Sequence, residues 1–246
     1  MKKLVAYITA GYPEKSFSVD LAFALSNNGV DLLELGVPFS DPVADGPLIE
    51  KANYKALELG FKFEHLLDIS KTIAPKVDTL WMGYFNSFYQ HNLNTLIPLA
   101  KEIGISGFII PDLPYEESLA YKNLFDSNHI SNISFIAPTD SESRIAEIVK
   151  DSKKFIYMVA YAGITGSGAS EDLQSVLSSI KKYTQTPVYV GFGVNKKTAK
   201  DKVKGADGVI VGSAFVEILL DYNLNYTQKI AKCGELAKIL KSEINS

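Results

Sequence analysis

Eight times along 246 residues, a short apolar run is followed by a turn rich in Gly or Pro and then by a helical pattern. That repetition constrains the fold more than any single motif. The runs are Leu4–Thr9, Val30–Leu35, Val77–Met82, Gly107–Ile110, Ile133–Ile136, Phe155–Ala160, Pro187–Val190 and Gly208–Val211. Short apolar runs bounded by turn signals read as buried strands. Between them, apolar residues recur at helical spacing. Phe17, Leu21, Ala24 and Leu25 share one face of the first such stretch, and Gly29 marks its end. Further helical stretches are Leu48–Leu59, Phe63–Ile73, Leu93–Ile103, Glu116–Ser127, Glu142–Lys150, Leu173–Tyr183 and Lys196–Val203. A short Ala214–Leu220 and a longer Tyr226–Glu243 close the chain. Eight strand–helix units of roughly thirty residues predict an α/β fold, a (β/α)8 TIM barrel. No stretch reads as a linker, so residues 1–246 are expected to form a single barrel domain. A doubly wound open sheet is the alternative. It often opens on a Gly-rich turn, and the first turn here, Ala10-Gly11-Tyr12-Pro13, lacks G-x-G-x-x-G.

In such barrels the C-terminal strand ends carry the active site. One exit loop there stands out. Glu34 to Pro47 reads Glu-Leu-Gly-Val-Pro-Phe-Ser-Asp-Pro-Val-Ala-Asp-Gly-Pro. Its prolines and glycines forbid helix or regular strand. Glu34 closes a strand whose two faces are both covered, so its carboxylate is expected to be buried. A buried carboxylate is neutral, paired or functional. Asp45 sits just before a helix start. Two acids held in different environments suit acid–base chemistry. Asp41 and Asp45 also fit the ordinary role of turn and cap residues. Tyr84, Asp112, Thr165, Gly193, Gly212 and Ser213 fall at strand ends as well. Gly191-Phe192-Gly193 after the seventh strand, and Gly212-Ser213 before a short extra helix, match a barrel phosphate site built from backbone amides, to which Gly166 adds a third amide. Tyr7, Tyr84, Tyr157 and Phe192 would wall an apolar pocket for a flat ligand.

Composition narrows the classes. The net charge of −3 suggests neither nucleic acid nor an anionic membrane as partner. Arg144 is the only Arg, so an anion site must use backbone N–H groups or Lys. Cys233 is the only cysteine, which excludes an intrachain disulfide and fits a reducing, cytoplasmic setting. His65, His91 and His129 match no metal-ligand spacing, so no metal is expected. No apolar run is long enough for a membrane span, and the start Met-Lys-Lys-Leu-Val leads straight into a strand. The residues thus point to an enzyme acting on a small phosphorylated molecule with two carboxylates.

The Glu34–Pro47 stretch closely resembles the signature of the tryptophan synthase α-subunit family. Thr9-Ala10-Gly11-Tyr12-Pro13, Pro111-Asp112-Leu113-Pro114 with Glu116-Glu117, Gly163-Ile164-Thr165-Gly166, Gly191-Phe192-Gly193 and Gly212-Ser213-Ala214 resemble that family's motifs in the same order. The resemblance spans nearly the whole chain. It implies retro-aldol cleavage of indole-3-glycerol phosphate to indole and glyceraldehyde 3-phosphate. It implies Glu34 and Asp45 as catalytic residues. It also places Tyr157 and Thr165 near the substrate and Gly166, Gly193, Gly212 and Ser213 on its phosphate. A β-subunit partner in an α2β2 tetramer is implied too, with pyridoxal phosphate in that partner and no cofactor in this chain. Phe39, Phe85, Phe88, Leu113 and Pro114 are expected to form an apolar docking patch on the same barrel face.

Two features depart from the family pattern. Tyr161 stands where relatives often carry a basic or other polar residue. The first strand begins at about Leu4, without the preceding helix many relatives carry, so the barrel bottom is expected to be closed another way or left more open. Loop six, Tyr161–Ser170, is expected to act as a mobile lid that brings Thr165 towards Asp45. A different phosphate-binding barrel enzyme would need metal ligands or a strand-end Lys, and neither is evident. A non-catalytic subunit that only activates a partner is disfavoured by the intact acids.

Overall fold

The computed structural model describes residues 1–160 and 168–246, the side chains of 168–172 excepted. Among the described residues, nine parallel strands form one nearly closed ring. They are β1 (Lys3–Thr9), β2 (Leu32–Gly36), β3 (Thr79–Met82), β4 (Gly107–Ile109), β5 (Ser131–Asn132), β6 (Ser134–Ile136), β7 (Ile156–Val159), β8 (Val188–Gly191) and β9 (Gly208–Val211). Their order is β5-β4-β3-β2-β1-β9-β8-β7-β6. β5 and β6 lie at opposite ends of that order yet are separated in sequence only by Ile133. They are the two halves of the fifth strand expected from the sequence. The first half pairs with β4 and the second with β7. The chain itself therefore closes the barrel, and the Ile133 N–H donates to the Phe108 carbonyl at 2.9 Å at the crossing.

The helices are α1 (Lys15–Asn27), α2 (Pro47–Glu58), α3 (Phe63–Ile73), α4 (Phe85–Tyr89), α5 (Leu93–Ile103), α6 (Tyr115–Ser118), α7 (Lys122–Ser127), α8 (Glu142–Ile148), α9 (Gly168–Tyr183), α10 (Ala199–Lys202), α11 (Ser213–Leu220) and α12 (Tyr226–Glu243). α3, α5 and α12 have the bounds the sequence predicts. Three stretches differ. The predicted helix Glu116–Ser127 is broken by a 3-10 turn at Leu119–Tyr121. The aromatic segment after β3, expected as loop, contains α4. Lys196–Val203 shrinks to α10, because the Asn195 and Thr198 side chains bond local backbone N–H groups at 2.8 and 3.0 Å. Such local bonds compete with helix. On α1 the covered residues are Phe17, Ser18, Leu21, Ala22 and Leu25, so Ala22 replaces the predicted Ala24 in the core.

Two large apolar clusters pack the helices onto the outside of the ring, and a third fills its interior. In parallel strands, register-paired residues face the same side. Val5, Leu32, Leu80, Ile109, Ile133, Phe155, Tyr189 and Ile210 point inward. Phe155 and Tyr189 stack at 4.6 Å near the strand entrances. Higher up, tyrosine rings lie over inward glycines of the next strand. A Cβ on Gly36 would sit 2.3 Å from the Tyr7 hydroxyl, and one on Gly191 2.4 Å from the Tyr157 ring. Glycine at these two places is what lets an aromatic ring occupy the barrel mouth.

At the strand entrances, carboxylates are paired with lysines: Asp31 with Lys3 and Lys241, Asp78 with Lys154, Asp207 with Lys181. A cavity of about 700 Å³ opens at this end, lined by Lys3, Pro187, Tyr189 and Asp207 among others. The ring bottom is thus only partly covered.

Gly191→Ala is expected to lose about 1–3 kcal/mol of stability, because Tyr157 is wedged against Phe135 and Phe192 and cannot yield. Urea denaturation of the variant measures it; an unchanged midpoint would show that the ring has room to move.

Candidate active site

Glu34 is the third of the five residues of β2, two before its C-terminal Gly36. Its register partners are Tyr7 on β1 and Leu80 on β3, so it faces the barrel interior among apolar and aromatic groups. Only 2 % of it is exposed, and Oε1 has no hydrogen-bond partner among the described residues. Burial, reinforced by the Asp45 charge, pushes its carboxyl up to about 8. The group is therefore mostly protonated at neutral pH.

The loop after β2 is shaped by its own turns. The Val43 N–H donates to the Asp41 carbonyl and the Asp45 N–H to the Pro42 carbonyl, both at 2.9 Å. Gly46 caps α2, and Pro47 occupies its first position, where no N–H is needed. Tyr84, at the exit of β3, pins the loop: its hydroxyl accepts the Ala44 N–H at 2.9 Å and its ring stacks on Phe39 at 5.2 Å. Asp45 is held half-buried as a result. Burial raises its carboxyl to about 6, opposed by the hydroxyl of Tyr84 and the amide of Asn53. The Asn53 Nδ2 donates to Asp45 Oδ2 at 3.3 Å. Two carboxyl groups in one barrel mouth thus have separated pKa values, the higher at Glu34.

The structure brings the aromatic candidates to the same place. Tyr7 is buried, with its hydroxyl 3.5 Å from Thr9 Oγ1. Its hydroxyl is held above the usual range by burial and then by Asp45. Tyr157 is raised likewise by burial, then by Glu34 and Asp45. Both rings therefore sense the two carboxyls. Phe192 meets Tyr157 edge-on at 6.2 Å and is 38 % exposed, so it stands at the rim. Phe192 and Gly193 have φ of 70° and 67°, a left-handed turn directly after β8. Gly212 precedes α11, with Ser213 as its first residue, and a Cβ on Gly212 would come 3.4 Å from Tyr7 Cβ. The first amides of α11 have no intrahelical partner. Thr165, Gly166 and Tyr161, and with them the lid expectation for loop six, lie outside the described residues.

Asp112 lies at a strand end as expected, and its Oδ1 accepts the Phe85 N–H at 2.7 Å, tying the β3 and β4 exit loops together. Two docking expectations are corrected. Phe88 is fully buried against Trp81 and Phe108, and Leu113 is 9 % exposed. Neither is available for docking. Phe39, Phe85 and Pro114 remain at the surface, with the exposed Tyr89 beside Phe85.

Two site residues escape a reading of the sequence. Asn53 is 1 % exposed and lies between Ala52 and Ala56 on the buried face of α2; a lone amide on an apolar stripe was the available signal. Phe135 on β6 stacks on Tyr157 at 4.9 Å, a contact made across strands and invisible in the sequence. Among the described residues, no three His, Cys, Asp or Glu cluster as a metal site, and no helix is long and apolar enough to cross a membrane.

A family model described as tryptophan synthase alpha chain matches residues 1–245. The chain belongs to the tryptophan synthase alpha chain family. It is similar to the alpha chain of Wolinella succinogenes, at 54% identity over 100% of this chain and 97% of the relative. It also resembles the solved alpha subunit from Campylobacter jejuni, at a TM-score of 0.87 and 33% identity, covering 96% of this chain and 95% of that one. A Mycobacterium tuberculosis tryptophan synthase structure superposes at a TM-score of 0.89 and 30% identity, covering 100% of this chain and 93% of that one. The alpha-chain reaction is retro-aldol cleavage of indole-3-glycerol phosphate to indole and glyceraldehyde 3-phosphate, a carbon–carbon lyase step of tryptophan biosynthesis, and it is the activity of this chain. An alpha chain implies a beta-chain partner.

The raised pKa of Glu34 has a stability consequence with a definite sign. Between its usual range and about 8 the folded state keeps a proton that the unfolded chain releases, so this group's contribution falls as pH rises through that window. Glu34→Gln is expected to become more stable than the parent by about 1–3 kcal/mol at neutral pH, with the gain shrinking towards pH 4. Thermal unfolding of both proteins across pH 4–8 measures it; a pH-independent difference would remove the buried neutral acid.

Proposed function

We propose that Glu34 and Asp45 divide the cleavage between them, Glu34 as acid and then base, Asp45 as electrostatic partner of the indole ring. The observation that carries this reading is the buried Oε1 of Glu34 on β2, two residues before the strand ends, which has no hydrogen-bond partner among the described residues. A neutral carboxyl there delivers its proton to indole C3. Positive charge then develops on the ring, and the ionised Asp45 accepts the ring N–H and stabilises it. The Glu34 carboxylate takes the proton of the side-chain hydroxyl as the bond from C3 to the side chain breaks. Electrons return to the ring, indole and the aldehyde separate, and Glu34 is protonated again. Tyr7, Tyr157, Phe135 and Phe192 wall the indole. The amides of Gly166, Gly193, Gly212 and Ser213 hold the phosphate, and Thr165 lies near the substrate. The whole chain serves as one barrel domain.

The pH profile follows from the two acids. Activity needs Glu34 protonated and Asp45 ionised, so kcat/KM is expected to fall below about pH 6 and above about pH 8. Glu34→Gln keeps the shape but has no proton to give, and its turnover is expected to drop at least ~10²-fold. Asp45→Asn is expected to lose a comparable factor with substrate binding retained and the acidic limb abolished. Indole release by the purified chain reads all three. Near-normal turnover in a folded Glu34→Gln enzyme would sink the assignment.

The partner is read as a pyridoxal-phosphate beta chain in an α2β2 tetramer, in the cytoplasm. The sole cysteine supports the reducing compartment. Phe39, Phe85 and Pro114 at the barrel mouth support docking there, which would hand apolar indole onward without exposure to bulk water. Light scattering of the mixed chains is expected to give the mass of two alpha and two beta chains; separate species at micromolar concentration would refute the complex.

A further inference from the structure

Lys202 is the last residue of α10, behind β8 and its exit turn. It is half-buried, its ammonium is lowered from the usual lysine range by desolvation, and among the described residues it meets no carboxylate. Its polar partner there is the carbonyl of Phe192, at 3.4 Å. That carbonyl belongs to the peptide unit joining Phe192 to Gly193. A trans peptide is planar, with its C=O and N–H pointing in opposite directions. A cation on the Phe192 oxygen therefore helps to fix where the Gly193 N–H points, which is away from Lys202. Both residues of the turn have positive φ, and for Phe192 that conformation is unfavourable. The turn thus needs an anchor. Thr198 supplies one by donating to the Gly193 carbonyl at 2.8 Å, on the far side of the residue. Lys202 supplies the other on the peptide itself. The Gly193 N–H donates to no group among the described residues.

We propose that Lys202 is a positioning residue for the substrate phosphate, acting through the Phe192–Gly193 peptide. The inference rests on the reading that Gly193, Gly212 and Ser213 bind that phosphate. The ammonium orients the peptide plane and draws electron density from the carbonyl, which strengthens the N–H as a donor to an anion. It also places one positive charge behind a site that has no arginine within this chain's means except Arg144, and Arg144 is engaged with Glu116 and Asp140 elsewhere.

The test uses inorganic phosphate and indole-3-glycerol phosphate on the full chain. In the parent, phosphate is expected to shift the backbone amide resonances of Gly193 and Ser213 in ¹⁵N–¹H spectra. In Lys202→Met the Gly193 shift is expected to shrink while that of Ser213 persists. KM for the substrate and Kd for phosphate are both expected to rise about five- to tenfold, the size of a partly screened charge interaction, with kcat within about twofold. Lys202→Arg is expected to restore both, and Lys202→Gln, which can donate but carries no charge, is not. If neither amide responds to phosphate in the parent, the phosphate reading itself fails. If both respond and Lys202→Met or Lys202→Gln binds phosphate like the parent, the phosphate site stands and the role of Lys202 is overturned.

Discussion

Everything at the barrel mouth depends on one unfavourable burial. Glu34 carries an ionisable group into an apolar interior and, among the described residues, one of its oxygens has no partner. Such a group keeps its proton, since a charged form there would lose its hydration with nothing to replace it. The fold tolerates this because the residue sits on a strand held from both sides by β1 and β3 and cannot swing outward. The surrounding core supplies the stability that this one residue consumes. Catalytic groups commonly carry this kind of cost.

The second acid is managed differently. Asp45 lies on a loop, where position is harder to define. Here three contacts define it: turns internal to the loop, the Tyr84 hydroxyl on Ala44, and the Asn53 amide on the carboxylate. The hydrogen bonds oppose desolvation and leave Asp45 at about 6, below Glu34 at about 8. Two identical functional groups within one mouth thereby take opposite protonation states at neutral pH. The tyrosine rings that wall the mouth fit because the strand facing each of them carries glycine at the point of contact.

Much of this was legible in the chain. The strand–helix repetition predicted the barrel, and Glu34 with Asp45 stood out through the stiffness of the loop between them. The misreadings have local causes. Phe88 looked like a loop residue on the surface because α4 is only five residues long and shows no helical periodicity. The fifth strand read as one piece because hydrogen-bond partners are not written in sequence; it changes neighbours at Ile133. The helix predicted from Lys196 failed to start there because Asn195 and Thr198 satisfy the backbone locally.

By itself, the sequence determined the number of strand–helix units, the end of the barrel at which the described candidate residues lie, and the pair of acids. These follow from periodicity and from the backbone limits of Pro and Gly, which act over a few residues. Only the tertiary structure decided which acid is neutral, that Asn53 holds Asp45, that Phe135 backs Tyr157, and that Lys202 reaches the Phe192 carbonyl. Desolvation and hydrogen bonding act over a few ångströms of space, and the barrel brings to that distance residues that the chain keeps far apart, such as Glu34 and Tyr157.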